Sequence, residues 1–492
     1  MKKFAISVII LCTTQLIAQN DVDALRYSQQ DNLGTARYVG MGGAFSALGG
    51  DLSSIKENPA ATAVYRVNEF GFSMGFHNKD SESNYYNSNS KQDRTNFNIP
   101  SFSLVKVDDD LRDPDWKRLN LSFGLTRLKS LSGQTLISAQ HNNRSLINSL
   151  KDRAQDHSID DLYYDDLLAY MAFNTLGIDT TSSGNYVSWI DEDGQRQKYQ
   201  REERGGITEL NLSVGASYKD KMYFGASLNF PIVNYESESM FSEYDYQNQG
   251  DITLNGVNTT YNRLGFQESI KATGSGVNAK FGLIAKPVFW WRFGLAYHTP
   301  TYYTMDEEYS YDMTSYFGGF NPIGDYFDGN YSYNLRTPGK VVLGTSIIVQ
   351  KQGIISVEYN YSDYSSMEYS SVDDFASFEE DEALDAQNKR INQLYTSAGT
   401  LKIGAEWRYD NVSLRGGYNH VDSPLKNSDV LERDVVSFGL GYRWEQYFVD
   451  MAVQHTSYNE EIVVYEGING ESSNAELAND INNYVFTFGY KF

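Results

Sequence analysis

The sequence predicts an all-β transmembrane barrel of about fourteen antiparallel strands, with an N-terminal plug in its lumen. Three observations predict it. Apolar residues take every second position in about fourteen separate segments, the connections between segments alternate between short and long, and tryptophans gather beside the short ones.

Bulk properties set the frame. Residues 1–19 carry Lys2 and Lys3, an apolar run from Phe4 to Leu11 and small polar residues after it, which reads as a secretory signal peptide cut near Ala18–Gln19. Cys12 is the only cysteine, and Leu11 stands before it where a lipoprotein anchor wants a small residue. An exported chain whose mature part lacks cysteine has no disulfide framework. With 38 Tyr, 26 Phe and 40 Gly against 9 Pro, the composition suits a large sheet with tight turns. No later stretch reaches the roughly 18 apolar residues of a spanning helix. Mean hydropathy is −0.50, but averaging hides alternation, because a strand with one lipid face and one polar face scores near zero. The formal charge of −23 excludes nucleic-acid binding through a phosphate-neutralising patch.

The strands follow in order. Phe70, Phe72, Met74 and Phe76 share one face of 69–77. The segment 97–107 comes second and is interrupted by Pro100. Leu119, Leu121, Phe123 and Leu125 mark the third, Leu210 to Tyr218 the fourth, and Phe224 to Ile232 the fifth. Val277 to Ala285, Trp291 to Tyr297, Val341 to Val349 and Ile355 to Tyr361 follow. The last five hold Leu401 to Trp407, Val412 to Tyr418, Val436 to Trp444, Val449 to Val453, and Tyr484 to Phe492. Opposite positions are mostly Gly, Ser, Asn, Thr and Lys. Each segment approaches the 9–11 residues that a tilted strand needs to cross a bilayer, and closure into a barrel removes edges that lipid cannot satisfy.

Short turns at 219–221, 286–287, 351–353, 409–411 and 445–446, with a longer one at 108–118, alternate with long polar loops at 129–206, 233–265, 300–335 and 364–396. Trp116, Trp290, Trp291, Trp407 and Trp444 fall beside the short turns, as an interfacial girdle would, and only Trp189 lies in a long loop. A soluble sandwich also alternates, but it explains neither the leader nor the outward aromatics on nearly every strand. The terminal aromatics Tyr490 and Phe492 resemble the C-terminal signal by which outer-membrane barrels are handed to the barrel-assembly machinery.

Residues 20–67 do not alternate. Gly40, Gly42, Gly43, Gly49 and Gly50 permit tight turns and close packing. A short helix is expected after Asp51, whose side chain can cap it, and Pro59 forces Asn58 out of the α region. A barrel of about fourteen strands has a lumen too wide for side chains alone to fill, so a plug is reasonable.

Here "LGTARYVGMGGAFSALGGDLSSIKENPAATAVY", followed by "EFGFSMGF", resembles the N-terminal hatch of the FadL/TodX long-chain fatty acid and hydrocarbon transporters. Asn58-Pro59-Ala60 after the Gly-rich turn with Gly42 and Gly43 is the most specific match. The Tyr-, Ser- and Asp-rich texture is similar to that of the family's Bacteroidota branch. The resemblance implies domains at 1–19 (leader), 20–67 (hatch) and 68–492 (barrel). It also implies a Gram-negative outer-membrane channel that passes hydrophobic small molecules by diffusion, past a hatch and out through a lateral gap at a kinked strand. A hydrophobe crosses lipid unaided but not the polar saccharide outside it, so no energy source is required.

Three regions are functional candidates. In the longest loop, 159–177 has helix spacing, with Tyr163, Leu167, Tyr170 and Met171 on one side and Leu168 and Phe173 adding surface. It serves either to capture a ligand or to pack the loop. Pro100 removes a ladder hydrogen bond inside a spanning strand and marks either a wall gap or a bend above the membrane. In the family the kink lies in the third strand, whereas Pro100 is in the second. Asn58 is expected to lock its turn through backbone hydrogen bonds.

Enzyme chemistry finds no support. The six His are scattered, no metal-ligand spacing occurs, GxSxG is absent, and "DEDG" at 191–194 lacks the rest of a calcium loop. No cofactor is expected. The acidic run 373–385 reads as solvated. Expected partners are outer-membrane lipid and lipopolysaccharide, a hydrophobic ligand and the assembly machinery. The rival reading is a barrel of the same shape that serves as a subunit or docking partner of an outer-membrane machine. An apolar pocket reaching the hatch would favour transport, and a polar, blocked interior would favour docking.

Overall fold

The computed structural model describes residues 21–111, 113–142, 145–190, 195–245, 251–254, 256–350, 352–372, 378–467 and 472–492. The expected leader with Cys12, the turn 191–194 and part of the acidic run (373–377) lie outside the described residues.

Fourteen strands form one closed antiparallel barrel. They are β1 (Glu69–Tyr85), β2 (Ser88–Asp108), β3 (Trp116–Ser130), β4 (Gln195–Tyr218), β5 (Met222–Tyr244), β6 (Val257–Val288) and β7 (Trp291–His298). The second half holds β8 (Lys340–Val349), β9 (Gly353–Asp363), β10 (Ser397–Tyr409), β11 (Val412–Val421), β12 (Arg433–Trp444), β13 (Tyr447–Glu466) and β14 (Ser472–Lys491). Each pairs with its neighbour in sequence, and β14 returns to β1 with Phe70 opposite Tyr490 and Phe76 opposite Tyr484. The apolar sets point outward. Leu121, Val214, Phe281, Leu414, Phe438 and Phe486 are all exposed, as a lipid-facing belt requires. Lys219 and Asp220 both have positive φ, which gives the tight hairpin turn expected between β4 and β5.

The strands are much longer than a bilayer demands. β6 alone has 32 residues, roughly 100 Å of extended chain. The segments expected as outer loops therefore need correction. Most of 233–265 is strand, because β5 runs on to Tyr244 and β6 begins at Val257. In 300–335, a hairpin of strands Tyr302–Phe317 and Ile323–Arg336 prolongs β7 and β8 outward, with joints at Pro300 and Pro338. In 129–206, strand Gly133–Asn142 pairs with the outer half of β4. The physical reason is simple. Beyond the membrane neither face meets lipid, so apolar alternation ends while backbone pairing continues.

The remainder of 129–206 holds α3 (Leu146–Ala154), α4 (Ile159–Asp165) and α5 (Leu167–Asn174), and 364–396 holds α6 (Phe378–Leu394). The single helix expected over 159–177 is two helices, because Asp166 leaves helical geometry and caps α5 by accepting from Ala169 N at 3.1 Å.

Upstream of the barrel come α1 (Asp21–Ser28), α2 (Ala36–Gly40) and 3₁₀ turns at Leu52–Lys56 and Pro59–Val64. Each of the last three has a side-chain cap: Thr35 accepts from Tyr38 N, Asp51 from Ser53 N and Asn58 from Ala60 N. Asn58 sits at φ −143°, ψ 107°, the extended geometry that Pro59 imposes. Nearly all of 33–63 is buried. Its apolar side chains form two clusters against inward residues of the wall, Leu52, Ile55 and Ala60 with Val105 and Ile284, and Tyr38, Met41 and Phe45 with Ala452 and Val485. The segment thus lies inside the barrel.

Candidate functional site

The wall receives this segment on glycines. Gly215, Gly225, Gly282, Gly294, Gly344, Gly404, Gly417 and Gly439 face inward from eight strands. A methyl group would collide with Pro59 at Gly225, with Asn58 at Gly282, with Ser46 at Gly294 and Gly344, and with Met41 at Gly404. Several stand directly across the ladder, Gly215 opposite Gly225, Gly225 opposite Gly282, and Gly404 opposite Gly417. Gly42 and Gly43, at φ 62° and 74°, make the left-handed turn that presses Met41 and Gly42 against β10 and β11. Asn58 does more than lock its own turn. Its Nδ2 donates to Ser46 O at 2.7 Å and faces Leu283 O and Leu295 O of the wall at 3.3 and 3.4 Å. Pro59 and Ala60 lie against Gly225.

Two buried ionic clusters fasten the segment across the lumen. Arg37 grips Glu406 of β10 with two nitrogens, at 2.8 and 3.1 Å, and Arg415 of β11 reaches the same carboxylate at 2.7 Å and Asp450 at 2.6 Å. Glu57 accepts from Tyr38 Oη at 2.7 Å and faces Lys340 and Lys402 at 3.3 and 3.4 Å, and Lys402 also meets Glu358 at 3.0 Å. Isolated buried charges would be untenable, so these sets place the segment as well as hold it. The sequence reading missed them. Their signal was the charged residue at an inward position of a spanning strand, as with Glu358, Lys402, Glu406, Arg415 and Asp450.

Outward of Glu57 the lumen contains a cavity. Most of its lining residues are polar, among them Gln29, Asn32, Asn278, Asn419, Lys280 and Arg433, while Tyr364, Ala398, Val421, Val435 and Ile481 supply apolar surface between them. It is a mixed cavity rather than the wholly apolar pocket expected of a hydrocarbon path.

Strand pairing in the wall is interrupted beside this cavity. Pro100 sits at a β-bulge, where the β1–β2 register slips between Ser73 and Gly75. The β2–β3 ladder runs from Asp108–Leu119 to Ser101–Thr126 and stops there, although β1 and β2 remain paired as far as Tyr85–Ser88. Outward of Pro100, β2 therefore has one hydrogen-bonded neighbour. Side-chain bridges close the break further out, Gln92 to Gln134 at 3.0 Å and Arg94 to Glu202. Phe97 and Ile99, both more than half exposed, form an apolar lip on the outer face. The break in pairing lies between strands two and three.

The outer-loop candidates divide. Leu167 and Met171 are buried with Leu146, Ile147, Leu162 and Phe241, while Leu168, Tyr170 and Phe173 pack partly against that cluster. Tyr163 stays exposed beside Tyr164 and stacks edge-on to it. The apolar face thus mainly builds the loop's own core. Glu243 of β5, eleven residues past the lipid-facing Ile232, lies buried in this region and accepts from Leu146 N at 2.7 Å. Burial pushes its carboxyl up to about 7, against hydrogen bonds that lower it. The folded state therefore holds this proton above the ordinary range, and stability falls as pH rises from the ordinary carboxylate value through 7. Glu243→Gln keeps the acceptor and removes the charge. It is expected to make the outer loops more resistant to proteolysis at pH 8 than the parent, by about 3 kcal/mol at most, with little difference at pH 5. Equal pH profiles would contradict this.

At the other end, Tyr490 stacks on Tyr447 and Phe492, and Phe492 N donates to Asn68 O at 3.1 Å. Among the described residues no group of three or more His, Cys, Asp or Glu side chains is placed to hold a metal ion.

Solved structures share the fold. A Pseudomonas aeruginosa FadL homologue matches over 94% of this chain and 100% of its own, with TM-score 0.56 and 12% identity. The Pseudomonas putida toluene transporter TodX matches over 94% and 99%, with TM-score 0.53 and 13% identity. The Ralstonia pickettii toluene transporter TbuX matches over 94% and 99%, with TM-score 0.50 and 15% identity. No curated protein matches by sequence. The sequence profile of outer membrane protein transport proteins (OMPP1/FadL/TodX) matches residues 194–492, more than half of the chain, and the chain belongs to that family.

Proposed function

We propose that the protein is a passive outer-membrane channel for hydrophobic small molecules, long-chain fatty acids or hydrocarbon-like compounds, which leave sideways through the window at Pro100. The observation that carries this reading is the interrupted β2–β3 ladder, which leaves an edge beside the lipid-facing belt. Membership of a transport family, and relatives described as toluene transporters, support it. The buried segment 21–65 serves as the hatch, the outer loops collect ligand from the lipopolysaccharide layer, and the terminal aromatics address the barrel-assembly machinery. Deleting Pro100 restores one-to-one pairing of β1 with β2 and lets the ladder zip further. Uptake of labelled oleate or toluene by cells lacking other carriers is expected to fall several-fold, with the barrel still folded. Unchanged uptake would overturn the lateral exit, and no uptake by the parent protein would overturn the channel.

The polar lining of the lumen favours a second reading, a docking partner for an outer-membrane machine. Purification in mild detergent discriminates between them. A stoichiometric co-purifying protein without bound lipid-like molecules supports docking, and the reverse supports transport.

A further inference from the structure

The central cavity encloses about 140 Å³. That is room for one small ring, since an apolar cavity of about 150 Å³ holds benzene. The lysines and the arginine in its lining already have partners. Lys280 meets Glu209 at 2.6 Å, Lys340 meets Glu57 at 3.3 Å, Lys402 meets Glu358 at 3.0 Å and Arg433 meets Asp31 at 3.5 Å. Four carboxylates thus neutralise four cations, and no charge is left over to repay an entering anion for its lost hydration. The free hydrogen-bonding capacity belongs to neutral amides instead. Asn419 of β11 is 2% exposed, and its Oδ1 has no hydrogen-bond partner. Neither Nδ2 nor Oδ1 of Asn32 has one. Both residues line the cavity. Apolar surface lies directly beside Asn419. Asn419 stands opposite Val435 across the β11–β12 ladder, Val435 opposite Thr456, and Thr456 opposite Ile481. The row alternates polar and apolar side chains, and all four line the cavity.

We propose that this cavity selects a small neutral ligand, an apolar ring that carries a hydroxyl or amide group, over an anion or a bare hydrocarbon, and that Asn419 determines the preference. A hydroxyl supplies the donor that Asn419 Oδ1 lacks, while the ring rests on Val435 and Ile481. A bare hydrocarbon of the same size has the room, but it buries the amides without partners, which is unfavourable. A carboxylate finds each cation already neutralised. The proposal rests on the channel reading and narrows the cargo from hydrophobic molecules in general to those with one neutral polar group.

Calorimetric titration of the full-length protein in detergent, against matched micelle blanks, compares benzyl alcohol, benzoate and toluene at pH 8. Benzyl alcohol is expected to bind at least tenfold more tightly than either of the others. In Asn419→Leu its affinity is expected to fall at least fivefold while that of toluene holds or rises. A merely structural role for Asn419 would weaken both ligands together. The ranking in the parent protein needs no variant to fold. Benzoate or toluene binding as tightly as benzyl alcohol, no binding of benzyl alcohol, or equal losses for alcohol and toluene in Asn419→Leu would each overturn the assignment. If toluene or benzoate ranks first, the channel reading survives and only the preference for a neutral polar group falls. If benzyl alcohol ranks first while cells carrying the protein take up neither oleate nor toluene, the channel reading falls and the site stands.

Discussion

Replacing Glu406 by alanine is expected to unseat the N-terminal segment while the barrel stays folded. Glu406 is buried and serves three guanidinium groups, Arg37 of the segment and Arg408 and Arg415 of the wall. Without it, Arg415 keeps Asp450, but Arg37 keeps only its bond to Gly50 O at 2.7 Å. Removing one partner of a buried ion pair costs about 3–5 kcal/mol, most of it from the stranded charge. The cost falls on one side of the equilibrium. A displaced segment lets Arg37 meet water, and the wall, held by a closed ladder of fourteen strands, loses nothing comparable. The readouts separate accordingly. Ion conductance in planar bilayers and protease cleavage within 21–65 should rise, and the heat-modified gel shift of the barrel should hold. Glu406→Gln keeps an acceptor and should fall between. Parent-like conductance and cleavage in the alanine variant would show that Arg37 does not anchor the segment.

The same asymmetry explains what the sequence could tell. Lipid enforces a period of two on every strand it touches, so the outward sets from Phe70 to Phe488 were legible without any structure. Where lipid ends, as after Ile232 in β5 or before Val277 in β6, Tyr, Ser and Glu serve either face equally well, and strands were read as loops. The position of Pro100 showed that a ladder breaks, but not how far the break runs, since that depends on whether β3 finds another partner. Apolar positions in 159–177 were legible, yet their burial depended on distant Phe241, Tyr261 and Met313. Arg37 and Glu406 are 369 residues apart, a pairing that no local pattern encodes. The glycines were visible at alternating positions but read as filler on the polar face, because their meaning is set by the backbone that rests on them.

That last point yields a prediction in which the two parts of the molecule respond with opposite signs. Gly225→Val puts a branched side chain on an inward position of β5, where its Cβ would meet the carbonyl of Pro59 and the amide of Ala60. Both are backbone atoms and cannot rotate away, so the 3₁₀ turn must retreat and take Asn58 with it. The strand itself gains, since valine suits a sheet better than glycine by up to about 1 kcal/mol. Gly416→Val is the matched control, for a Cβ at Gly416 of β11 meets nothing within 4 Å. Both variants should raise or preserve the melting temperature of the barrel. Only Gly225→Val should increase conductance and expose the segment to protease, and a wider lumen should admit polar solutes that the parent excludes. If the two variants behave alike, the glycines are there for strand geometry alone, and the close fit of segment to wall is not what seals the pore.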